Sequence, residues 1–479
     1  MLNWLQPSLY ENDTIAIYDD NRSVTYRQLW QEITIMSNLL QTMPHKRVGL
    51  YMANCIEWVV IDLACSLNNI TITPLPAFFS DQQLQHIINE ANISLIITDQ
   101  PNNTNNFFNG KSVNCNLPNI HIFQTTTQAE HNSNIHKITF TSGSTGTPKG
   151  VCLNNKNIEI VVTSFQQQLN KLIGNHFCLL PLSTLLENIA GVYTSLLAHG
   201  TIYLTKKISI YHLNQQTLQT LFNYIEDKKI HTIILVPQLL KIFVSWYNNT
   251  QQNHSLKFIA LGGAKASPTL INQAIQLGLP VFEGYGLSES SSVVTLNTPK
   301  NNKPGSVGKP LPHIDIKLSN DGEILVKGAN CLGYYNCNPP SLDNEDYWHT
   351  GDLGTLDAEG FLHLTGRKKN LIITPLGRNI SPEWIESELN THSDILQSAV
   401  FLDINDELSA IITTEKTIDL KKLLSMTNEQ LPEYAHLKNI KIAEKPFSTA
   451  NKTLSPGGQP LRKNIKVQYQ NKGVQYVTI

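Results

Sequence analysis

The chain has 479 residues, 41% of them hydrophobic and only 15% charged, against about 25% charged in an ordinary soluble domain. Its 36 basic and 38 acidic residues leave a net charge of −2, so there is no basic excess to bind nucleic acid or a charged membrane surface. No apolar run reaches the ~18 residues of a spanning helix, and the first residues lack a basic-then-apolar signal pattern.

In chain order, residues 48–52 predict a buried strand, Glu57 to Leu67 a helix and residues 71–75 a second strand. Ser80 is placed to cap a helix with Leu84, Ile87, Ile88 and Ala91 on one face, and residues 93–97 predict a third strand. This alternation implies parallel βαβ units. Residues 101–134 are Asn-rich and poorly patterned, and are expected to form a surface excursion. The alternation returns over 135–330, with strands near 138–140, 232–235 and 258–260. Short strands with glycine turns follow at 314–316, 323–326 and 361–364. Ser381-Pro382-Glu383 reads as a helix start, with a cap, a proline in the first position and an acid in the first turn. Strands are expected at 399–402 and 408–413. Residues 1–368 are therefore expected to form a large N-terminal part and 369–479 a small α+β domain. The cysteines lie far apart without a Cys-x-x-Cys pair, which reads as reduced thiols and not a disulfide framework or a zinc site. The expected setting is the cytoplasm.

The stretch from Thr139 to Gly150 carries the strongest chemical signal. A strand ends in Ser142, Gly143, Ser144, Thr145, Gly146 and Thr147, followed by Pro148-Lys149-Gly150. Glycines let backbone N–H groups approach an anion, hydroxyls donate to phosphate oxygens, and a lysine adds charge. The G-x-x-x-x-G-K-[ST] loop is not matched. A flexible linker is the plain alternative, but a linker rarely places Pro-Lys-Gly here and then resumes a strand, Val151-Cys152-Leu153.

This loop resembles the phosphate-binding signature of the adenylate-forming superfamily, which includes acyl-CoA synthetases, the adenylation domains of peptide synthetases and firefly luciferase. Four further blocks follow in the order of that family. Leu261-Gly262-Gly263-Ala264 resembles the segment beside adenine. Gly284-Tyr285-Gly286-Leu287-Ser288-Glu289-Ser290 resembles the Y-G-x-[ST]-E block. His349-Thr350-Gly351-Asp352-Leu353-Gly354 resembles the ribose block, and Gly366-Arg367-Lys368-Lys369 the hinge. The resemblance implies two doubly wound α/β subdomains plus a small distorted barrel, then a small mobile C-terminal domain. It implies ATP, Mg²⁺ and a thiol acceptor, either CoA or phosphopantetheine, with a small-molecule carboxylic acid and an acyl carrier protein as candidate partners. By the same resemblance, Thr145, Lys149 and Ser288 act on the phosphates. Glu289 holds magnesium, which favours one or two carboxylates plus substrate phosphates. Ser142, Gly143, Ser144, Gly146, Gly263, Ala264, Gly284, Tyr285, Gly286, Asp352 and Arg367 line the nucleotide, Lys369 is the hinge, and Gly377 lies on the thiol tunnel. Taken singly, Glu289 reads as a loop acid, Tyr285 as a core tyrosine, Asp352 as a turn residue and Arg367 as a partner for an acid.

Pro181-Leu182-Ser183-Thr184-Leu185-Leu186-Glu187-Asn188 resembles the P-L-x-H-x-x-E segment of long-chain acyl-CoA synthetases, with Thr184 where His or an aromatic is usual. Leu185, Leu186, Ile189, Val192 and Tyr193 are candidates for an acyl pocket or for plain core. The expected activity is ATP-dependent activation of a carboxylic acid, fatty or otherwise apolar, to an acyl-AMP and then a thioester. Capture by a non-thiol acceptor and β-lactone closure are the alternatives within adenylate chemistry. Near the C-terminus the family's G-K-x-x-R core maps to Gly458-Gln459-Pro460-Leu461-Arg462, which puts Gln459 in the place of the catalytic lysine. A competing alignment makes Lys452 that lysine, and a catalytically weak binding protein is the third reading.

Overall fold

The computed structural model describes residues 5–6, 10–43, 47–113, 119–125, 134–141, 148–169, 171–208, 210, 215–250, 254–337, 342–374, 378–455, 458–470 and 477–478. Three sheets precede residue 368. The first has seven strands in the order Lys111–Val113, His121–Gln124, Leu95–Thr98, Arg47–Tyr51, Thr71–Pro74, Lys137–Thr141, Lys149–Leu153. Arg47–Tyr51 runs parallel to both its neighbours, as the alternation predicts. The helix Ile56–Leu67 that crosses between them is buried on nearly every side. The helix Asp81–Glu90 opens on Ser80, whose side chain and Gln83 form a reciprocal capping box.

The expected surface excursion at 101–134 is corrected for residues 111–113 and 121–124. Both segments pair antiparallel at the sheet edge; Ile122 is wholly buried in the core on one face, and Phe123 packs on the other against the cluster of Phe107 and Phe108. The segments are three and four residues long, too short for a period-2 pattern to emerge, and their pairing is carried by backbone groups that any side chain supplies.

The second sheet has nine strands in the order Lys309–Pro310, Thr295–Leu296, Val281–Tyr285, Phe258–Leu261, Thr232–Leu235, Asn175–Phe177, Thr201–Tyr203, Ile15–Tyr18, Ser23–Thr25. It is parallel from Ile15–Tyr18 through Val281–Tyr285. Ligands of such sheets bind beyond the carboxyl ends of the strands, and those ends deliver Gly262 and Tyr285. One apolar core joins the first sheet to its helices and to the turn Glu187–Tyr193. Inside that core, the wholly buried Lys137 meets Asp62 at 2.9 Å and also bonds Asn188, and Tyr193 donates to Asp62 Oδ2 at 2.7 Å. The third sheet is antiparallel, built of Asp315–Leu318, Glu323–Lys327, Trp348–Leu356 and Leu362–Arg367.

Beyond it, Gln397–Leu402, Leu408–Thr413, Asn439–Ile442 and Val477–Thr478 form a four-stranded sheet with its own apolar clusters. The helix Pro382–Leu389 starts at Ser381 with proline in its first turn as expected, but the Ser381 hydroxyl caps no backbone N–H and donates to Glu383 instead. Lys241 reaches across from the helix Pro237–Thr250 to donate to the carbonyls of His392 and Ile395 at 2.7 and 2.8 Å. No helix among the described residues is long and apolar enough to cross a membrane.

Candidate active site

Asp352 and Arg367 are register partners on adjacent strands, so their side chains are brought together by sheet pairing alone. Arg367 Nε lies 2.7 Å from Asp352 Oδ1, and Tyr285 Oη donates to Asp352 Oδ2 at 2.8 Å. Asp352 and Tyr285 are both buried. Burial pushes the Asp352 carboxyl above the usual carboxylate range, opposed by the Arg367 charge, and drives the Tyr285 phenol far up. Three residues from three sequence blocks thus form one polar cluster. Beside it, Gly263 takes φ +80°, a conformation natural to glycine, and Ala264 is exposed.

Glu289 sits in the single turn Ser288–Ser290. Its Oε1 accepts the Tyr334 hydroxyl at 2.7 Å, and the Lys149 ammonium lies over the Tyr334 ring, 5.4 Å from its centroid. No cation within ion-pair distance of Glu289 is found among the described residues. The carboxylate is therefore oriented by one neutral donor and keeps an oxygen for a hard dication. Tyr334 was not singled out by sequence. It follows Gly333 in an irregular segment, and its bridge to Val151 is a tertiary contact that no local pattern encodes.

Lys149 begins the strand Lys149–Leu153, opposite Thr141 in register. The loop they bracket contains Ser142, Gly143, Ser144, Thr145 and Gly146, which lie outside the described residues, as does Gly377. Lys369 is exposed, and its ammonium is pulled below the usual lysine value by partial desolvation and by the Arg367 charge.

A cavity of about 260 Å³ opens between these blocks, lined by Gly262, Gly263, Gly284, Tyr285, Gly286 and Ser288 on one side and by Thr184, Leu185, Leu186 and Ala190 on the other. Of the acyl-pocket candidates, Leu185 and Leu186 line it, whereas Ile189, Val192 and Tyr193 are wholly buried core. Gly286 is demanded by geometry, because a Cβ there would lie 1.7 Å from the Ser292 carbonyl oxygen.

Gln459 is not brought to this cavity. It is exposed, and its backbone N–H and C=O are bonded to Ser455 in a tight loop. Lys452 stands in the same loop, exposed and at φ +57°. Arg462 anchors the loop's far end, with two bonds of 2.6 Å to Glu386 and one of 3.0 Å to Glu383. A further trio, His176, Cys178 and Glu187, gathers its donor atoms within 4.8 Å. It is satisfied internally: His176 Nε2 lies 2.9 Å from Glu187 Oε1, His176 Nδ1 is 2.9 Å from Thr232 Oγ1, and Leu180 N–H donates to Glu187 Oε2. We assign it a structural role, and the two bonds of Glu187 account for that residue in the Pro181 segment.

A family model described as AMP-binding enzyme matches residues 6–335. The chain is similar to 2-succinylbenzoate–CoA ligase of Staphylococcus epidermidis RP62A, 28% identical over 98% of each chain. Its fold is similar to that of o-succinylbenzoate CoA synthetase from Bacillus subtilis in complex with its acyl-adenylate intermediate, with TM-score 0.79, 23% identity, and coverage of 97% of this chain and 98% of that one. It is similar also to the amide bond synthetase from Marinactinospora thermotolerans, with TM-score 0.78, 19% identity, and 98% and 99% covered.

Proposed function

The chain belongs to the AMP-binding enzyme family and is an AMP-forming acid–thiol ligase, and from that premise we propose that it couples a compact carboxylic acid to CoA in two steps at the cavity described above. In the first step a carboxylate oxygen attacks the α-phosphorus of ATP. A C–O–P linkage forms and the bond to pyrophosphate breaks. In the second, a thiolate attacks the acyl carbon, the C–O bond of the mixed anhydride breaks, and AMP leaves with the electron pair.

The observation that carries this reading is that two residues lining the cavity, Tyr285 and Ser288, tie it to the neighbouring charged groups: Tyr285 donates to Asp352, which pairs with Arg367, and Ser288 shares its turn with Glu289. Asp352 keeps unused lone pairs on both oxygens, which suits it to the ribose hydroxyls. Ser288 faces the cavity from the same turn as Glu289 and suits a phosphate oxygen. Lys149 and the hydroxyl loop after Thr141 would meet the remaining phosphate charge. Glu289 is suited to hold magnesium, which when bound neutralises developing phosphate charge. The segment after Lys369 would rotate between the two steps and deliver the loop of Gln459 and Lys452.

The curated relatives are named for 2-succinylbenzoate and CoA, which favours CoA over a carrier protein and an aromatic keto acid over a fatty acid. Size agrees: 260 Å³ falls just below the usual range of ligand cavities, roughly 300–1,000 Å³, which suits a compact acid. The test is ATP–pyrophosphate exchange over a panel of acids, followed by thioester formation with CoA. Exchange driven by an acid and thioester dependent on CoA is the expected result. Exchange without any thioester would move the second step to another acceptor, and no exchange would remove the adenylation reading.

A further inference from the structure

Among the described residues, the cavity lining contains one buried side-chain polar atom with nothing to bond. Ser292 lines the cavity, is 7% exposed, and its Oγ has no hydrogen-bond partner. Buried hydroxyls are ordinarily paired, and leaving one unpaired is unfavourable. Its backbone is also unusual. Ser291 and Ser292 have φ of +56° and +105°, and consecutive positive values on residues with a Cβ are strained. Three neighbours hold that shape: Ser292 N–H donates to Leu287 O at 3.1 Å, Val294 N–H donates to Tyr285 O at 2.8 Å, and the bare Cα of Gly286 lets the Ser292 carbonyl pass. The fold thus keeps a strained residue in place and leaves its hydroxyl unsatisfied beside the cavity.

The rest of the lining sharpens the point. Among the described residues that line the cavity there is no Lys, Arg, His, Asp or Glu. Thr184 Oγ1 is already committed to the Pro181 carbonyl at 2.6 Å, and the other acyl-side residues, Leu185, Leu186, Ala190 and Phe165, are apolar. A second carboxylate on the bound acid would be buried with no counter-charge, which is strongly unfavourable.

Resting on the adenylation reading above, we propose that Ser292 is a specificity-determining residue, and that the acid activated here has a single carboxylate and a compact tail with one hydrogen-bonding oxygen, which Ser292 Oγ meets. This differs from the dicarboxylate in the names of the curated relatives.

Three acids on one skeleton decide it. 4-Oxo-4-phenylbutanoate has the keto oxygen and one carboxylate, 4-phenylbutanoate lacks the keto oxygen, and 2-succinylbenzoate adds a ring carboxylate. With wild-type enzyme, ATP–pyrophosphate exchange should give kcat/KM for the keto acid about 3–10-fold above 4-phenylbutanoate, the range of one neutral hydrogen bond. It should exceed 2-succinylbenzoate by about 100-fold or more, as for a buried unpaired charge. Ser292→Gly removes the hydroxyl and relaxes the backbone. It should abolish the keto preference, keep discrimination against the ring carboxylate and leave the ATP KM unchanged. Ser292→Ala should behave alike. A wild type that prefers 2-succinylbenzoate overturns the single-charge proposal while leaving adenylation intact. A keto preference that survives in both variants overturns the role of Ser292, as does a wild type with no keto preference. Absence of exchange with these acids and with hexanoate, decanoate and benzoate removes the adenylation reading and this inference together.

Discussion

At the nucleotide end of the site, Asp352 places one oxygen against Tyr285 and the other against Arg367, and Glu289 is held by Tyr334. Along the rest of the cavity, Ser292 is buried with no partner, and no charged residue lines the wall among those described. The first region is preorganised around charge before any substrate arrives; the second keeps an unpaired hydroxyl that, on the proposal above, meets a substrate oxygen. The two regions should therefore fail differently. Lesions at the charged end should act on every acid alike, whereas lesions at the acyl end should change the ranking of acids.

The largest effect is expected from adding charge. Gln459→Lys should speed acyl-AMP formation by about 10²–10³, the scale of one preorganised electrostatic donor, with every acid and with little change in the thiol step. Stopped-flow pyrophosphate release checks the first step, and turnover of supplied acyl-AMP with CoA checks the second. Lys452→Ala is the control, expected to be nearly neutral. If it abolishes adenylation while Gln459→Lys has no effect, Lys452 is the catalytic lysine.

Next, Glu289→Gln should lower kcat/KM about 100-fold for all acids and raise the magnesium concentration needed for half-maximal rate, because a neutral amide is a poor ligand for a hard dication. A wild-type magnesium titration in this variant would remove Glu289 from the metal site.

A pH signature should come from Glu283, next to Gly284 of the cavity lining. Burial raises its carboxyl from 4.5 to about 7, against a bond from the Gly305 N–H and the nearby Lys265 charge. A raised folded pKa means the proton is held more tightly in the folded protein. The associated stability is present below about pH 4.5 and is lost as pH rises through 7. Glu283→Gln should flatten this dependence and stabilise the protein at pH 8 by roughly 2 kcal/mol, read by urea denaturation at pH 5 and pH 8. Equal gains at both pH values would contradict the assignment.

The smallest effect is expected from Asp352→Ala, about a tenfold rise in the ATP KM with kcat and acid ranking nearly constant, as for a contact made equally in ground and transition states. It also strips Tyr285 of its buried acceptor, so a modest fall in Tm should accompany it. An altered acid ranking in this variant would blur the division between the two ends.

Much of the fold was legible because its signals are local. The alternation through residues 47–98 gave parallel strands and crossover helices, Ser80 and Ser381 marked true helix starts, and Asp352 and Arg367 stood in separate blocks that sheet register then joined. The edge strands near 111 and 122 were missed because a three- or four-residue segment has no measurable period. Tyr334 was missed because its value lies in reaching Glu289 across 45 positions. The run Ser288-Glu289-Ser290-Ser291-Ser292 was visible, but nothing local separates the serine that faces the cavity from its neighbours.

By itself, the sequence pointed to the class of chemistry: hydroxyls, glycines and a lysine suited to phosphate, and, through the family resemblance, one acid suited to a metal and one to a ribose. Only the tertiary structure decided which of Leu185, Leu186, Ile189, Val192 and Tyr193 line the cavity and which are core, that Gln459 and Lys452 share one exposed loop, and that the described cavity wall is uncharged with an unpaired Ser292. The reason is physical. Phosphate recognition is built from backbone and side-chain groups close together in the chain, whereas a pocket's shape and its unpaired groups arise where strands and turns far apart in sequence pack together.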